Sequence, residues 1–223
     1  MFVSFTRFSV PKGIVSLIGS GGKTSFLRWL STTLDGKVIL TTSTHIHPFE
    51  GIPLIETREE ADPGMIRDML HACSVLCLGS PSEPGKLSSP RCSFETLTSL
   101  ADYVLVEADG SRGLPLKAHR AHEPAIPEGS AMTICVAGLS GLGQPIKTSC
   151  HCPDLYADLI GKDKSAIVTP EMFAQSLNTE ALGDVYFINQ TDLPDGEANA
   201  RRICDLLAKP AFAGSLKEKS FLL

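Results

Sequence analysis

The segment GIVSLIGSGGKTSFLRWLSTTL, residues 13–34, constrains the fold more than any other stretch. Its apolar run to Ser20 reads as a buried strand and GSGG as a turn. Lys23–Leu34 reads as an amphipathic helix, with Phe26, Leu27, Leu30 and Leu34 facing a core. Such a turn offers backbone N–H groups alongside a helix N-terminus, a nest for anionic oxygens. The binding expectation runs from Gly19 through Ser20, Gly21, Gly22, Lys23 and Thr24 to Ser25. Lys23 would reach the β- and γ-phosphates of a nucleotide, and the Thr24 hydroxyl would ligate Mg2+. The bland alternative is a strand–helix turn whose glycines serve only positive φ. Strand, turn, Lys-Thr pair and helix start all agree, which favours phosphate binding.

The usual spacing G-x-x-x-x-G-K-[ST] would put the first glycine at position 17, where Leu17 stands. The shorter G-x-x-G-K-T resembles the phosphate loops of Mur-type ligases, with Leu17 left to the strand and Gly19 as first glycine. Apolar runs recur at 13–20, 37–43, 74–80, 103–109, 131–139 and 184–190. Helical candidates lie between them at Lys23–Leu34, Glu59–Ala72, Phe94–Leu100, Pro170–Leu177 and Asp195–Leu207. This alternation predicts a three-layer α/β fold around a mostly parallel sheet of the phosphate-loop NTPase type, with ligands along the strand C-termini.

At 223 residues and 43% hydrophobic, the chain is expected to form a single domain, 1–223. Two segments break the alternation. SPSEPGKLSSP (80–90) reads as a flexible loop, and 110–130 as a long functional loop. A net charge of −5 with no basic run argues against a nucleic-acid partner, and no apolar stretch is long enough for a membrane. MFVSFTRFSVPKG lacks the layout of a signal peptide. Seven cysteines, with Cys73, Cys77 and Cys135 in apolar runs, suit reduced core thiols and a cytoplasmic location.

Carboxylates follow the fourth run as EADG. Glu107 and Asp109 alternate with Ala108, so an extended segment points both to one side. There they would hold Mg2+ or orient a water, in a pattern resembling the acidic switch of metal-delivering GTPases. The plainer alternative is a strand ending in an Asp-Gly turn. After the last run, Asn189 and Asp192 match the guanine-reading N-K-x-D, with Gln190 in place of lysine. A helix-capping turn is the alternative there. Arg112 and Lys117 could bind transferring phosphate or an anionic substrate, or be solvated surface cations. His45 and His47 make only an H-x-H pair, and Cys150, His151 and Cys152 lack a second pair at zinc spacing.

SLIGSGGKTS, VILTTSTHI, VLVEADGSRGLPLKA with HEPAIP, VAGLSGLGQPI, VTPE and INQTDL together resemble the YqeC family over nearly the whole chain. These are described as accessory proteins of selenium-dependent molybdenum hydroxylases, or selenium cofactor biosynthesis proteins. The resemblance implies a nucleotide-binding protein, using ATP or GTP with Mg2+, that helps mature such a hydroxylase or handles its cofactor. It also implies a homodimer, as is common among accessory GTPases. Lys23, Glu107, Asp109, Arg112 and Lys117 would be the catalytic set. Two other readings stand beside this NTPase: a kinase or ligase that activates a small molecule, and a non-enzymatic chaperone gated by nucleotide.

Overall fold

The computed structural model describes residues 9–83 and 85–222. Residues 1–8, which carry most of the stretch weighed as a leader, lie outside the described residues, as does position 84 within the 80–90 segment. Along the chain run β1 (Gly13–Ser20), α1 (Lys23–Thr33), β2 (Val38–Thr42), β3 (His45–Ile46), β4 (Leu54–Glu56), α2 (Pro63–Ala72) and β5 (Val75–Pro81). Next come β6 (Leu87–Ser88), α3 (Phe94–Leu100), β7 (Tyr103–Glu107), β8 (Leu116–Lys117), β9 (Ser130–Gly138), α4 (Ile146–Ser149) and β10 (Cys150–His151). The last are α5 (Pro153–Ile160), α6 (Pro170–Glu180), β11 (Val185–Asn189), α7 (Gly196–Leu206), β12 (Ala211–Ser215) and β13 (Ser220–Leu222).

The described chain gathers into two compact units. The first holds the chain up to Leu17, Thr24–Asp109 and Ala125–Met132. In it β1, β7, β2, β5 and β4 pair in parallel, in that order, with Leu17 of β1 opposite Glu107 of β7. Every residue of β2 and β7 is buried, so both faces of these strands are covered. Ile14, Ile39, Ile66, Leu76, Val104 and Val106 belong to one apolar cluster with the buried face of α2.

The second unit holds Ile18–Lys23, Gly110–Pro124 and the chain from Thr133 onward. Here β9, β11 and β12 are parallel, β13 returns antiparallel, and β8 and β10 form a separate two-stranded ladder. Strand β11 is buried along its whole length. Both units are therefore α/β around mostly parallel strands, the fold class expected from the alternation.

Local chemistry explains where elements depart from expectation. Helix α2 begins at Pro63, not Glu59, because Asp62 caps it by accepting from Gly64 N–H and proline suits the first turn. Helix α6 runs three residues past Leu177, to Glu180. The 80–90 segment is no continuous loop: Leu87 and Ser88 return antiparallel on Pro81 and Ser80 of β5. Within 110–130, Leu116 and Lys117 form β8, and Ser130 already opens β9. Cys77 and Cys135 are buried, but Cys73 is half-buried at the end of α2. No helix among the described residues is long and apolar enough to cross a membrane.

Ile39 is wholly buried, whereas Met65 is 45% exposed on α2. Ile39→Ala should cost about 2–5 kcal/mol, and Met65→Ala less than about 0.5 kcal/mol, in urea unfolding midpoints at constant slope.

Candidate functional site

In the second unit, β1 ends at Ser20 and α1 begins at Lys23, so GSGG is the turn between them. Backbone crowding fixes its composition. Gly19 has φ +94°, and a Cβ there would lie 2.3 Å from Val136 O. Gly21 has φ +82°, and its Cβ would lie 2.4 Å from Gly138 Cα. The Ser20 hydroxyl donates to Pro115 O at 2.7 Å. Lys23 is buried and donates from Nζ to Gly19 O at 2.6 Å, so the ammonium is folded over the loop. No acidic residue stands in the first turn of α1 itself.

Asn189 is buried and uses both ends of its amide. Nδ2 donates to Gly21 O at 2.8 Å, and Oδ1 accepts from Leu216 N–H at 3.2 Å. The end of β11 is thereby locked to the glycine turn and to the segment after β12. Asp192 accepts from Ser215 Oγ at 2.6 Å and lies 3.5 Å from Lys217 Nζ. The Ser215 hydrogen bond, chiefly, holds the Asp192 carboxyl below the usual carboxylate range, so it is ionised at neutral pH. Gln190 takes a left-handed backbone, φ 74°, and accepts from Ser140 N–H at 2.9 Å. Helix α7 starts later, with Asp195 at its cap position, so neither Asn189 nor Asp192 caps it.

In the first unit, Thr24 Oγ1 donates to Glu107 Oε2 at 3.0 Å. Thr24 and Ser25 are exposed; Glu107 and Asp109 are buried. Extended pairing continues past β7, with Ala108 N–H donating to Leu17 O and Ala125 N–H to Ala108 O. A hydroxyl and a carboxylate oxygen side by side are hard oxygen donors of the kind Mg2+ prefers. His45 is exposed on β3, and His47 Nδ1 lies 2.9 Å from Gly85 O.

The 110–124 segment of the second unit is firmly held. Lys117, expected as a loop cation, is buried on β8, donates to Gly110 O at 2.7 Å and pairs with Glu123 at 3.4 Å. Burial opposes ionisation of Glu123, but the Lys117 charge and the Arg120 amide still hold its carboxyl below the usual range. Glu180 grips His119 twice, accepting from its backbone N–H at 2.7 Å and lying 2.9 Å from Nδ1. Arg112 is exposed. His151 stands opposite Lys117 in the β8–β10 ladder. Burial first, then the Lys117 charge, pushes its affinity for a proton below the ordinary histidine value. Cys150 beside it is buried and pushed up to about 12, an inert thiol.

Sequence reasoning missed Ser215, Lys217, Glu123, His119 and Glu180. Ser215 ends, and Lys217 follows, a five-residue strand rich in small residues, AFAGS, which lacks the Val/Ile/Leu content of strands such as β1, β2 and β7. Glu180 is a single acid 61 residues from the His119 it holds, and Glu123 is a lone acid in an irregular segment with no pattern linking it to Lys117.

A mostly parallel α/β chain with a glycine turn at a strand–helix junction defines the class of protein. Within that class, the family model described as "YqeC protein" matches residues 15–154, and the chain belongs to that family. It is 35% identical to "Uncharacterized protein YqeC" of Escherichia coli (strain K12), over 76% of this chain and 66% of that protein. The chain thus spans just under two thirds of the length of this curated relative. It is also similar to the crystal structure of signal recognition particle 54 kDa protein from Aeropyrum pernix K1 in complex with GDP. That likeness covers 96% of this chain and 44% of that one, at 14% identity and a TM-score of 0.41.

A histidine whose folded-state pKa lies below its unfolded value of 6.5 binds fewer protons folded than unfolded as pH falls through that range. His151 should therefore withdraw stability as pH drops from about 7.5 to 5.5, with the loss levelling off below its folded pKa. His151→Gln should show a shallower fall in melting temperature over that interval than the wild type.

Proposed function

We propose that this protein binds a nucleoside triphosphate with Mg2+ and hydrolyses it while assisting maturation of a selenium-dependent molybdenum hydroxylase, by loading or transferring a cofactor component. The observation that carries the nucleotide reading is the glycine turn itself. Its carbonyl at Gly21 is pinned by Asn189, its glycines sit where no Cβ fits, and Lys23 is held over it. Gly19 through Ser25 supply the phosphate nest, and Lys23 exchanges its bond to Gly19 O for the β- and γ-phosphates.

Thr24 follows Lys23 directly in the chain, and with Glu107 it supplies oxygen donors for Mg2+, which would neutralise phosphate charge when bound. Asp109 adds a second carboxylate two residues on, able to orient a water. On the base side, an ionised Asp192 oriented by Ser215 suits the paired N–H donors of guanine rather than the mixed edge of adenine. The hydroxylase role rests on family resemblance and on no residue of the site.

Calorimetric titration of the full chain with GTP and ATP, each with Mg2+, tests this. Lys23→Ala should weaken both nucleotides by about 10–100-fold, the loss of one charge-assisted hydrogen bond or two. Asp192→Ala should weaken GTP alone by about tenfold or more. Equal affinity of the wild type for both nucleotides would retire the guanine preference, and no binding of either would retire the nucleotide reading.

A further inference from the structure

Two adjacent threonines end β2, both fully buried, and their hydroxyls bond in different directions. Thr41 Oγ1 donates to Leu78 O of β5 at 2.7 Å, an ordinary tie between neighbouring strands. Thr42 Oγ1 donates instead to Glu107 O of β7 at 2.8 Å. Thr42 stands opposite Glu107 in the β2–β7 register, so both side chains leave the sheet on one face. The residue that Thr42 holds is therefore the one whose carboxylate meets the Thr24 hydroxyl.

Sheet pairing does not require this bond. Glu107 O already accepts from Ser43 N–H at 3.1 Å, a partner from the neighbouring parallel strand's own backbone. The Thr42 hydroxyl is a second donor on the same carbonyl, and its oxygen also accepts from Thr44 N–H at 2.9 Å. Valine would fill a buried strand position equally well, so packing alone does not explain the hydroxyl.

Ser43 closes a ring around the same point. Its hydroxyl donates to Ala125 O, and Ala125 N–H donates to Ala108 O at 2.8 Å. Ala108 N–H donates to Leu17 O at 2.9 Å. The peptide group that joins Glu107 to Ala108 is thus held at its oxygen by Thr42 and Ser43 and at its nitrogen by Leu17. Fixing that peptide fixes the direction in which the Glu107 side chain leaves the backbone.

We propose that Thr42 is the positioning residue of a divalent-cation site at Glu107, its hydroxyl holding the Glu107 backbone so that the carboxylate is preset for the metal. This rests on the reading of Thr24 and Glu107 as Mg2+ ligands and adds the residue that aims their carboxylate. Thr42 itself touches no metal. Removing such an outer-shell hydrogen bond costs about 10–100-fold in metal affinity, because the ligand must then be ordered by the metal. Thr41 offers a matched comparison: Thr41→Val deletes a buried interstrand hydroxyl bond without loosening Glu107.

The test titrates the full-length chain with Mn2+, which shares the preference of Mg2+ for hard oxygen donors, and reads bound metal by EPR. No nucleotide is added, so the readout stays with the metal. Glu107→Gln should abolish binding, and Thr42→Val should weaken it about tenfold or more. Thr42→Ser, which keeps the hydroxyl, should restore most of the affinity, and Thr41→Val should leave it unchanged. Melting temperatures should fall alike in the two valine variants, so that lost stability alone does not account for the difference. Thr42→Ala removes the same hydroxyl and should match Thr42→Val; it carries the test should the valine variant not fold. Wild-type Mn2+ affinity in the Thr42 variants that lack the hydroxyl, or equal weakening in Thr41→Val, overturns the proposal and leaves the metal reading standing. Failure of the wild type to bind Mn2+, or undiminished binding in Glu107→Gln, overturns the metal reading and the positioning role with it.

Discussion

Gly21 and Gly138 meet where neither residue could carry a side chain, and the shape of the glycine turn depends on that meeting. A Cβ at Gly21 would fall 2.4 Å from Gly138 Cα, and one at Gly138 would fall 2.8 Å from both Gly21 Cα and the Gln190 amide oxygen. Real Cβ contacts do not come so close, so the end of β9 and the turn are in backbone contact by necessity. Asn189 then adds what contact alone lacks, a hydrogen bond that orients the Gly21 carbonyl. Its other end is used by Leu216 N–H, so removing this side chain strands two backbone groups rather than one. Three chain segments thus fix one turn before any ligand enters.

Two basic side chains of the second unit are buried against carboxylates. Lys117 and His119 are nearly inaccessible, and each is matched by a carboxylate brought from elsewhere: Glu123 from six residues on, Glu180 from the end of α6. The second arrangement is locally unfavourable. A carboxylate at a helix C-terminus meets the negative end of the dipole, and Ala181 then closes the helix in the left-handed conformation usually left to glycine. Both costs are offset where Glu180 satisfies the His119 backbone and ring together. Rigidity here is obtained from these carboxylate contacts, and Arg112 and Arg120 are left facing solvent.

Much of this was legible in the sequence for a simple reason. Strands buried on both faces announce themselves as unbroken Val/Ile/Leu runs, and β1 matches its expected span at both ends. Gly-Gly-Lys-Thr at the start of an amphipathic helix is local, so the turn was legible too. What was not legible depends on distance or on weak patterning. Strand β8 is two residues long and exists only because β10 lies beside it, 34 positions away by the Leu116–Cys150 pairing. Ser215 holds Asp192 across 23 residues, and no periodicity links them. Lys117 reads as a loop cation until its burial and its pairing with Glu123 are seen.

Glu107 and Asp109 pose the sharpest energetic question in the first unit. Both are buried at the end of a strand flanked by apolar neighbours, where an ionised carboxylate loses hydration worth several kcal/mol, about what a buried charge costs after relaxation. A core built only for stability would place an apolar residue here, as Tyr103, Val104, Leu105 and Val106 just before Glu107 illustrate. The hydroxyl of Thr24 at 3.0 Å is one group that offsets that loss for Glu107, and a divalent cation beside both oxygens would offset more of it. Desolvated carboxylate oxygens at the mouth of a strand, one of them already meeting an exposed threonine hydroxyl, are worth their cost when a cation is to be held. That physical argument, rather than the motif alone, underlies the proposal that Thr24 and Glu107 hold Mg2+.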